Sequence, residues 1–501
     1  MGVHTNYVYA VDNADNSSAV KTVLVVRASI PTVAITIPVN GSSTTVSNFT
    51  VFGTASIDVP YSISKVEVQL NNGSWVDATG TNAWSNSVTL TLGSNSIIAR
   101  AIGSNNKTNT TAPVIILYYS PTKFLADDGA ANDNFGNRVG VSADGNTMVA
   151  GALWDDDMGA DSGSAYIFRW TGTNWITNKI VASDGAGGDR FGYSVAVSGD
   201  GGTVVVGAPF DDDNNPESGS IYRYHWNGSS WAEDKFAVPA VEMLGSLGVS
   251  VAVTSDGNTI IAGAFGDNMG AGTAYRFHWN GTNWITNKFA ALDSAASDNF
   301  GSSVAVSSDG DTIIIGAING DQGAMTDIGT VYRFHWNGSG WITNKFNTYI
   351  GMGNDKYSCS VAVSSNGNAF VVGAYGHNVN SGVIYYYKWN NPDWETNQIF
   401  ASDGATGDNF GFSLEISADG NKIAVGAYGD DDNGVDSGSI YSFTWNGGGW
   451  ETNKITAADG AAGDAFGYSV AVSPDGSTIV TGAYFDDDMG ADSGSVYRYL
   501  W

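Results

Sequence analysis

The chain has 501 residues, enough for about three ordinary domains or for one large repeat fold beside a small one. Its 21 Lys and Arg against 50 Asp and Glu give a net charge of −29, which excludes nucleic acid and an anionic membrane as main partners, since either needs a basic patch. The single Cys359 excludes a disulfide framework and a cysteine-based zinc site, and no apolar run approaches the roughly 18 residues of a membrane helix.

The charge is not spread evenly. Residues 1–120 hold five bases (Lys21, Arg27, Lys65, Arg100, Lys107) and five acids (Asp12, Asp15, Asp58, Glu67, Asp77), so the whole excess of acid lies in residues 121–501. A shift this sharp marks a domain boundary. Both parts read as β. Short runs rich in Val, Ile, Thr and Tyr alternate with Gly, Asn, Asp and Ser turns, and nothing sustains a helical period.

In chain order, Asn6–Val11 and Ala19–Val26 form the first hairpin pattern. It matches a second pattern, Ser96–Ala101 with Pro113–Leu117, so residues 1–28 read as the last strands of a truncated sandwich. Two such strands are marginal alone, which predicts that they are poorly ordered or pair with another copy of the chain. Residues 29–117 carry about seven strand signals, including Thr32–Ile37, Phe49–Phe52, Lys65–Leu70, Ser87–Leu92 and Ser96–Ile102. That density fits a β-sandwich.

From residue 118 the chain repeats itself. The pattern Phe-Gly-x-Ser-Val-Ala-Val-Ser-x-Asp-Gly begins at Phe135, Phe191, Leu247, Phe300, Tyr357, Phe410 and Phe466, at intervals of 56, 56, 53, 57, 53 and 56. Each unit has four strand signals. In the second they are Gly192–Ser198, Thr203–Ala208, Ser220–Trp226 and Trp231–Ala237, with Asp200-Gly201 in the first hairpin turn because Gly accepts positive φ. Four strands repeated seven times predict an all-β, seven-bladed β-propeller over 118–501. The last unit ends at Trp501 without a fourth strand. Residues 118–126 match the fourth-strand pattern and are expected to complete the seventh blade, removing the open edges.

Phe-Gly followed about fifteen residues later by Gly207-Ala208-Pro209 resembles the FG-GAP pattern of the integrin α-subunit propeller. Gly151-Ala152-Leu153, Gly373-Ala374-Tyr375 and Gly482-Ala483-Tyr484 are variants of it. The fuller form at Ala182–Gly192 and Ala401–Gly411 is similar to bacterial FG-GAP surface proteins, and the sandwich to bacterial Ig-like repeats. The resemblance implies an extracellular setting, with any signal or anchor outside this segment; the first residues have no signal-peptide character.

Antiparallel topology puts the connection from second to third strand and the crossover between blades on one face. That face collects the acid. The candidate metal ligands are Asp155, Asp157 and Asp161; Asp211 and Asp213; Asp430, Asp432 and Asp436; and Asp486, Asp488 and Asp492. Acids at i, i+2 and i+6 beside glycine suit Ca²⁺, which takes six to eight oxygens in a flexible cage. The alternative is a solvated acidic face with Asp capping turns. The third and fifth units lack the triple Asp and are expected to be metal-free. Integrin metal loops lie in the first hairpin, which is too short here, so none of those ligands transfers.

The opposite face carries Trp pairs at each third-to-fourth-strand turn, such as Trp170/Trp175 and Trp226/Trp231, readable as sugar platforms or as cross-strand pairs. Asn227-Gly228-Ser229 and its equivalents read as glycosylation acceptors or as hairpin turns. His225, His278 and His335 share one repeat position, which reads as structural, and Cys359 reads as a small buried group. No catalytic set recurs. The expectation is a non-catalytic, Ca²⁺-stabilised cell-surface adhesion module with a protein or glycan ligand on another cell or matrix. A lectin is the alternative, then a glycan-cleaving enzyme using paired carboxylates.

Overall fold

A computed structural model describes residues 5–8, 21–24, 29–213, 215–238, 244–321, 326–347 and 355–500. The chain divides into two compact units, Met1–Tyr118 and Tyr119–Trp501.

In the first unit, Thr5–Val8 pairs antiparallel with Lys21–Leu24. The expectation that this segment is poorly ordered falls mostly on residues outside those described. Two sheets follow. One orders Thr32–Ile37, Asn48–Ser56, Ala83–Thr89 and Thr79–Gly80; the other orders Ser42–Thr44, Val114–Tyr118, Gly93–Gly103, Ile63–Leu70 and Val76–Asp77. Val51, Val66, Val68, Trp84, Leu90, Ile97, Ala99 and Ile116 share one buried cluster. The strand expected at Ser87–Leu92 runs instead over Ala83–Thr89, because Trp84 lies opposite Gly53. A Cβ on Gly53 would come within 2.0 Å of the indole, so the pair fits only as glycine against tryptophan.

Among the described residues, the second unit forms seven four-stranded antiparallel sheets. The second blade runs Ser194–Val197, Thr203–Ala208, Ser220–Trp226 and Trp231–Phe236. Its second strand is buried at every position, which is why it reads as an unbroken apolar run rather than an alternation. Ser120–Phe124 pairs with Ser495–Leu500 and supplies the fourth strand of the seventh sheet. Tyr118 pairs with Gly93 in the sandwich instead, so the closing strand starts two residues later than the sequence pattern places it.

Neighbouring blades meet through the repeated motif. The residue that opens a blade is Phe in five of the seven, where it packs edge-on against a third-strand Tyr, as in Phe191 with Tyr222 at 5.3 Å. It also makes a parallel bridge to the glycine before the preceding blade's third strand: Gly163 to Phe191, Gly219 to Leu247, and Gly494 to Phe135, which joins last blade to first. Serine hydroxyls span the same seam. Ser194, Ser250, Ser360 and Ser413 donate to the carbonyls of Gly248, Gly301, Gly411 and Gly467, and Ser303 donates to that of Ser358. The first blade has Arg138 at the serine position, and Asn137 Nδ2 donates to Gly192 O instead.

The seam has no room for side chains. A Cβ on Gly207 would lie 2.0 Å from Gly248 O of the next blade. Gly207→Ala is therefore expected to lower stability by about 2–3 kcal/mol in chemical denaturation, whereas Gly449→Ala, in open space, leaves the midpoint unchanged.

Candidate functional site

The triple-Asp loops and the crossovers do share a face, and each aspartate has a separate task. The first of each triplet (Asp155, Asp211, Asp430, Asp486) is buried. Its carboxylate accepts a third-strand tyrosine hydroxyl: Tyr222 to Asp211 at 2.8 Å, Tyr441 to Asp430 and Tyr497 to Asp486 at 3.1 Å. The second aspartate closes its own loop. Asp156, Asp431 and Asp487 accept the backbone N–H of Asp161, Asp436 and Asp492, each at 2.8 Å. The third turns inward, toward a lysine.

That lysine comes from the fourth strand. Lys179 Nζ lies on Asp128, Asp155 and Asp157; Lys235 on Asp184, Asp211 and Asp213; Lys454 on Asp403, Asp430 and Asp432; Lys123 on Asp459, Asp486 and Asp488. All twelve distances fall between 2.5 and 2.9 Å. Each ammonium thus joins the crossover entering a blade to the loop within that blade. Lys123 does so from the closing strand. Burial alone would lower these lysines; the three carboxylates outweigh it and raise them. Burial likewise pushes Asp128, Asp184, Asp403 and Asp459 upward, and the lysine and tyrosine bonds together bring them below their usual range.

The remaining blades show the same arrangement reduced. Lys288 meets Asp267, and Lys345 meets Asp293. In the fifth blade Gln398 stands at the lysine position and His377 Nδ1 faces Asp355 at 3.1 Å. The blades with a triple Asp are those with the full lysine cradle.

In these four blades a lysine ammonium stands among the carboxylates that the sequence pattern offers to a divalent cation. Among the described residues, only Asp184, Asp211 and Asp213 bring three ligand oxygens within 4.8 Å of one another, and Lys235 already contacts all three. Asp161, Asp436 and Asp492 join no such group. The lysines were missed because they sit on strands that sequence alone keeps apart from the acid. The available signal was their fixed offset after the fourth-strand Trp, lost only where the triple Asp is lost too.

On the other face the Trp pairs are cross-strand partners, with ring centroids 5.4 to 5.7 Å apart. Arginines of the preceding blade lie over the fourth-strand Trp: Arg498 over Trp175, Arg223 over Trp284, Arg276 over Trp341 and Arg333 over Trp394, at 5.2 to 5.7 Å. Asn227 Oδ1 accepts the N–H groups of Ser229 and Ser230, as its equivalents do, so this side chain builds the turn. His278 and His335 bond Thr259 and Thr312 on the neighbouring strand. Burial pushes the Cys359 thiol up to about 11, away from thiolate chemistry.

Three cavities of about 190, 180 and 150 Å³ follow one another along the ring axis, sharing valines of the first strands. Glu415 lines two of them, at a position that is Gly140 in the first blade and alanine in the other five. Burial pushes it up to about 7.

The matched family follows from this repeat. The FG-GAP repeat matches five times, at residues 120–168, 176–224, 285–334, 394–443 and 450–499. The chain carries FG-GAP repeats. It matches none of the curated proteins. Among solved structures it is similar to a Kuenenia stuttgartiensis hydrazine synthase, at 12% identity over 71% of this chain and 94% of that one, with a TM-score of 0.47. The WD40 repeats of RRP9 align at 11% identity over 76% and 97%, with a TM-score of 0.47. The periplasmic gluconolactonase PpgL of Pseudomonas aeruginosa aligns at 12% over 80% and 98%, with a TM-score of 0.40.

Glu415 gives a pH prediction for this FG-GAP propeller. Its folded value lies above the free value of 4.5, so ionisation opposes folding as pH rises from about 4.5 through about 7. Glu415→Ala, the residue of five other blades, is expected to raise the melting temperature at pH 8, by the equivalent of at most about 3 kcal/mol. At pH 4 the gain should vanish.

Proposed function

We propose that this FG-GAP propeller is a non-catalytic, extracellular protein-interaction module acting in adhesion, and that its binding face is the one carrying the Asp loops and crossovers. The observation that carries this reading is the charge left there. Each cradle sets one ammonium against three carboxylates, and Asp156, Asp212, Asp431 and Asp487 are exposed beyond it. The surface keeps a negative field without losing its loop geometry, which steers a cationic protein partner. By its resemblance to bacterial Ig-like repeats, the sandwich of the first unit serves as a stalk.

We further propose that lysine, rather than Ca²⁺, fixes these loops. The lectin reading draws no support from the Trp pairs, which are engaged within and between blades.

The test is binding of the full chain to immobilised matrix proteins and, in parallel, to a glycan array. The reading expects protein ligands, with affinity falling at least tenfold between 50 and 200 mM salt, the order expected of contacts dominated by exposed charge. Binding to glycans alone would favour the lectin, and release of sugars would favour an enzyme.

A further inference from the structure

The seven clefts between blades on the acidic face have a common construction. At the repeat position that precedes the acidic loop, successive blades carry Trp154, Phe210, Gly266, Asn319, Gly376, Gly429 and Phe485. Each cleft is floored by the crossover residue before the repeat's opening Phe: Asn134, Arg190, Ser246, Asn299, Lys356, Asn409 or Ala465. Only two clefts, those flanked by Trp154 and Phe210 and by Phe485 and Trp154, pair aromatic residues at the position preceding the acidic loop.

One of these is filled by the protein itself. Between the first and second blades, the Arg190 guanidinium lies 4.2 Å from the Trp154 ring and 4.4 Å from the Phe210 ring. A planar, weakly hydrated cation between two rings is an arrangement guanidinium suits and ammonium does not. The other lies between the seventh and first blades, with Phe485 and Trp154 as walls. Its backbone repeats the first: Arg190 N–H donates to Asp161 O and Asn134 N–H to Asp492 O, both at 3.2 Å, with φ of 55° and 56°. The side chain differs. Asn134 is short and bends down to donate to Tyr484 O and Asp492 O. Beside it is a cavity of about 460 Å³ lined by Trp154, Phe485, Asp156, Asp161 and Asp492, with Ala131 and Asn132.

We propose that this cleft binds a guanidinium, namely an arginine side chain displayed by a partner polypeptide. The aromatic walls take its faces and the carboxylates take its N–H groups. A polypeptide arginine suits the site better than free arginine, whose α-carboxylate would meet the acidic face. Only the carrier rests on the interaction-module reading. The cleft does not, since a capped amino acid needs no partner.

The experiment titrates the full chain with N-acetyl-arginine amide, N-acetyl-lysine amide, N-acetyl-citrulline amide and free arginine by calorimetry. The capped arginine is expected to bind at least tenfold tighter than the lysine and free-arginine probes, and the neutral citrulline probe not at all. Asn134→Arg places in this cleft the side chain its neighbour already holds. It should abolish binding while leaving the melting temperature unchanged or higher. Asp492→Asn, which keeps the backbone conformation, should weaken binding several-fold. No binding of the capped arginine, equal binding of citrulline, or undiminished binding by a folded Asn134→Arg protein would overturn the proposal. A negative result here leaves binding to matrix proteins untouched, so the two readings fail separately.

Discussion

Three carboxylates converging on one lysine ammonium is the interaction on which the charged half of this molecule depends. A chain of net charge −29 crowds its acid onto one face of a closed ring. Repulsion there would open the loops and pull the crossovers from the blades they enter. In four blades the fourth-strand lysine reaches both elements at once and holds them. Its buried aspartate is also bonded by tyrosine, so neither charge is left uncompensated in the interior.

The ring itself rests on different physics. Glycine at the seam lets backbones approach, serine hydroxyls and parallel bridges satisfy the carbonyls there, and arginine over the next blade's tryptophan ties the outer strands. Closure uses the parallel bridge and the arginine once more between the last blade and the first. Phe135 bridges to Gly494, Arg498 covers Trp175, and Lys123 serves the seventh blade's aspartates. The inner seam thus requires small residues, while the outer face is free to vary from blade to blade. It is in that variation that the aromatic cleft beside Asn134 arises.

The propeller strands were legible because their determinants are local: apolar runs, Asp-Gly turns and a period close to 55 residues. The second strand of the second blade matches its sequence pattern residue for residue. The sandwich was less legible where tertiary fit decides, as at Trp84 against Gly53. At the acidic face, the sequence showed which residues would gather but not what neutralises them. Lys179 is 51 residues from Asp128 and 22 from Asp157, and only folding brings it between them. The seat of Arg190 between two rings likewise belongs to the assembled cleft.

We propose that an internal ammonium, and not a bound metal, balances these loops. The most direct measurement is the melting temperature of the full chain at neutral pH, first in excess EDTA and then across a Ca²⁺ titration. A ligand that binds only the native state must raise that temperature by mass action. The same melting temperature is expected in both. A rise of many degrees with Ca²⁺ would contradict the proposal and return the aspartates to a metal.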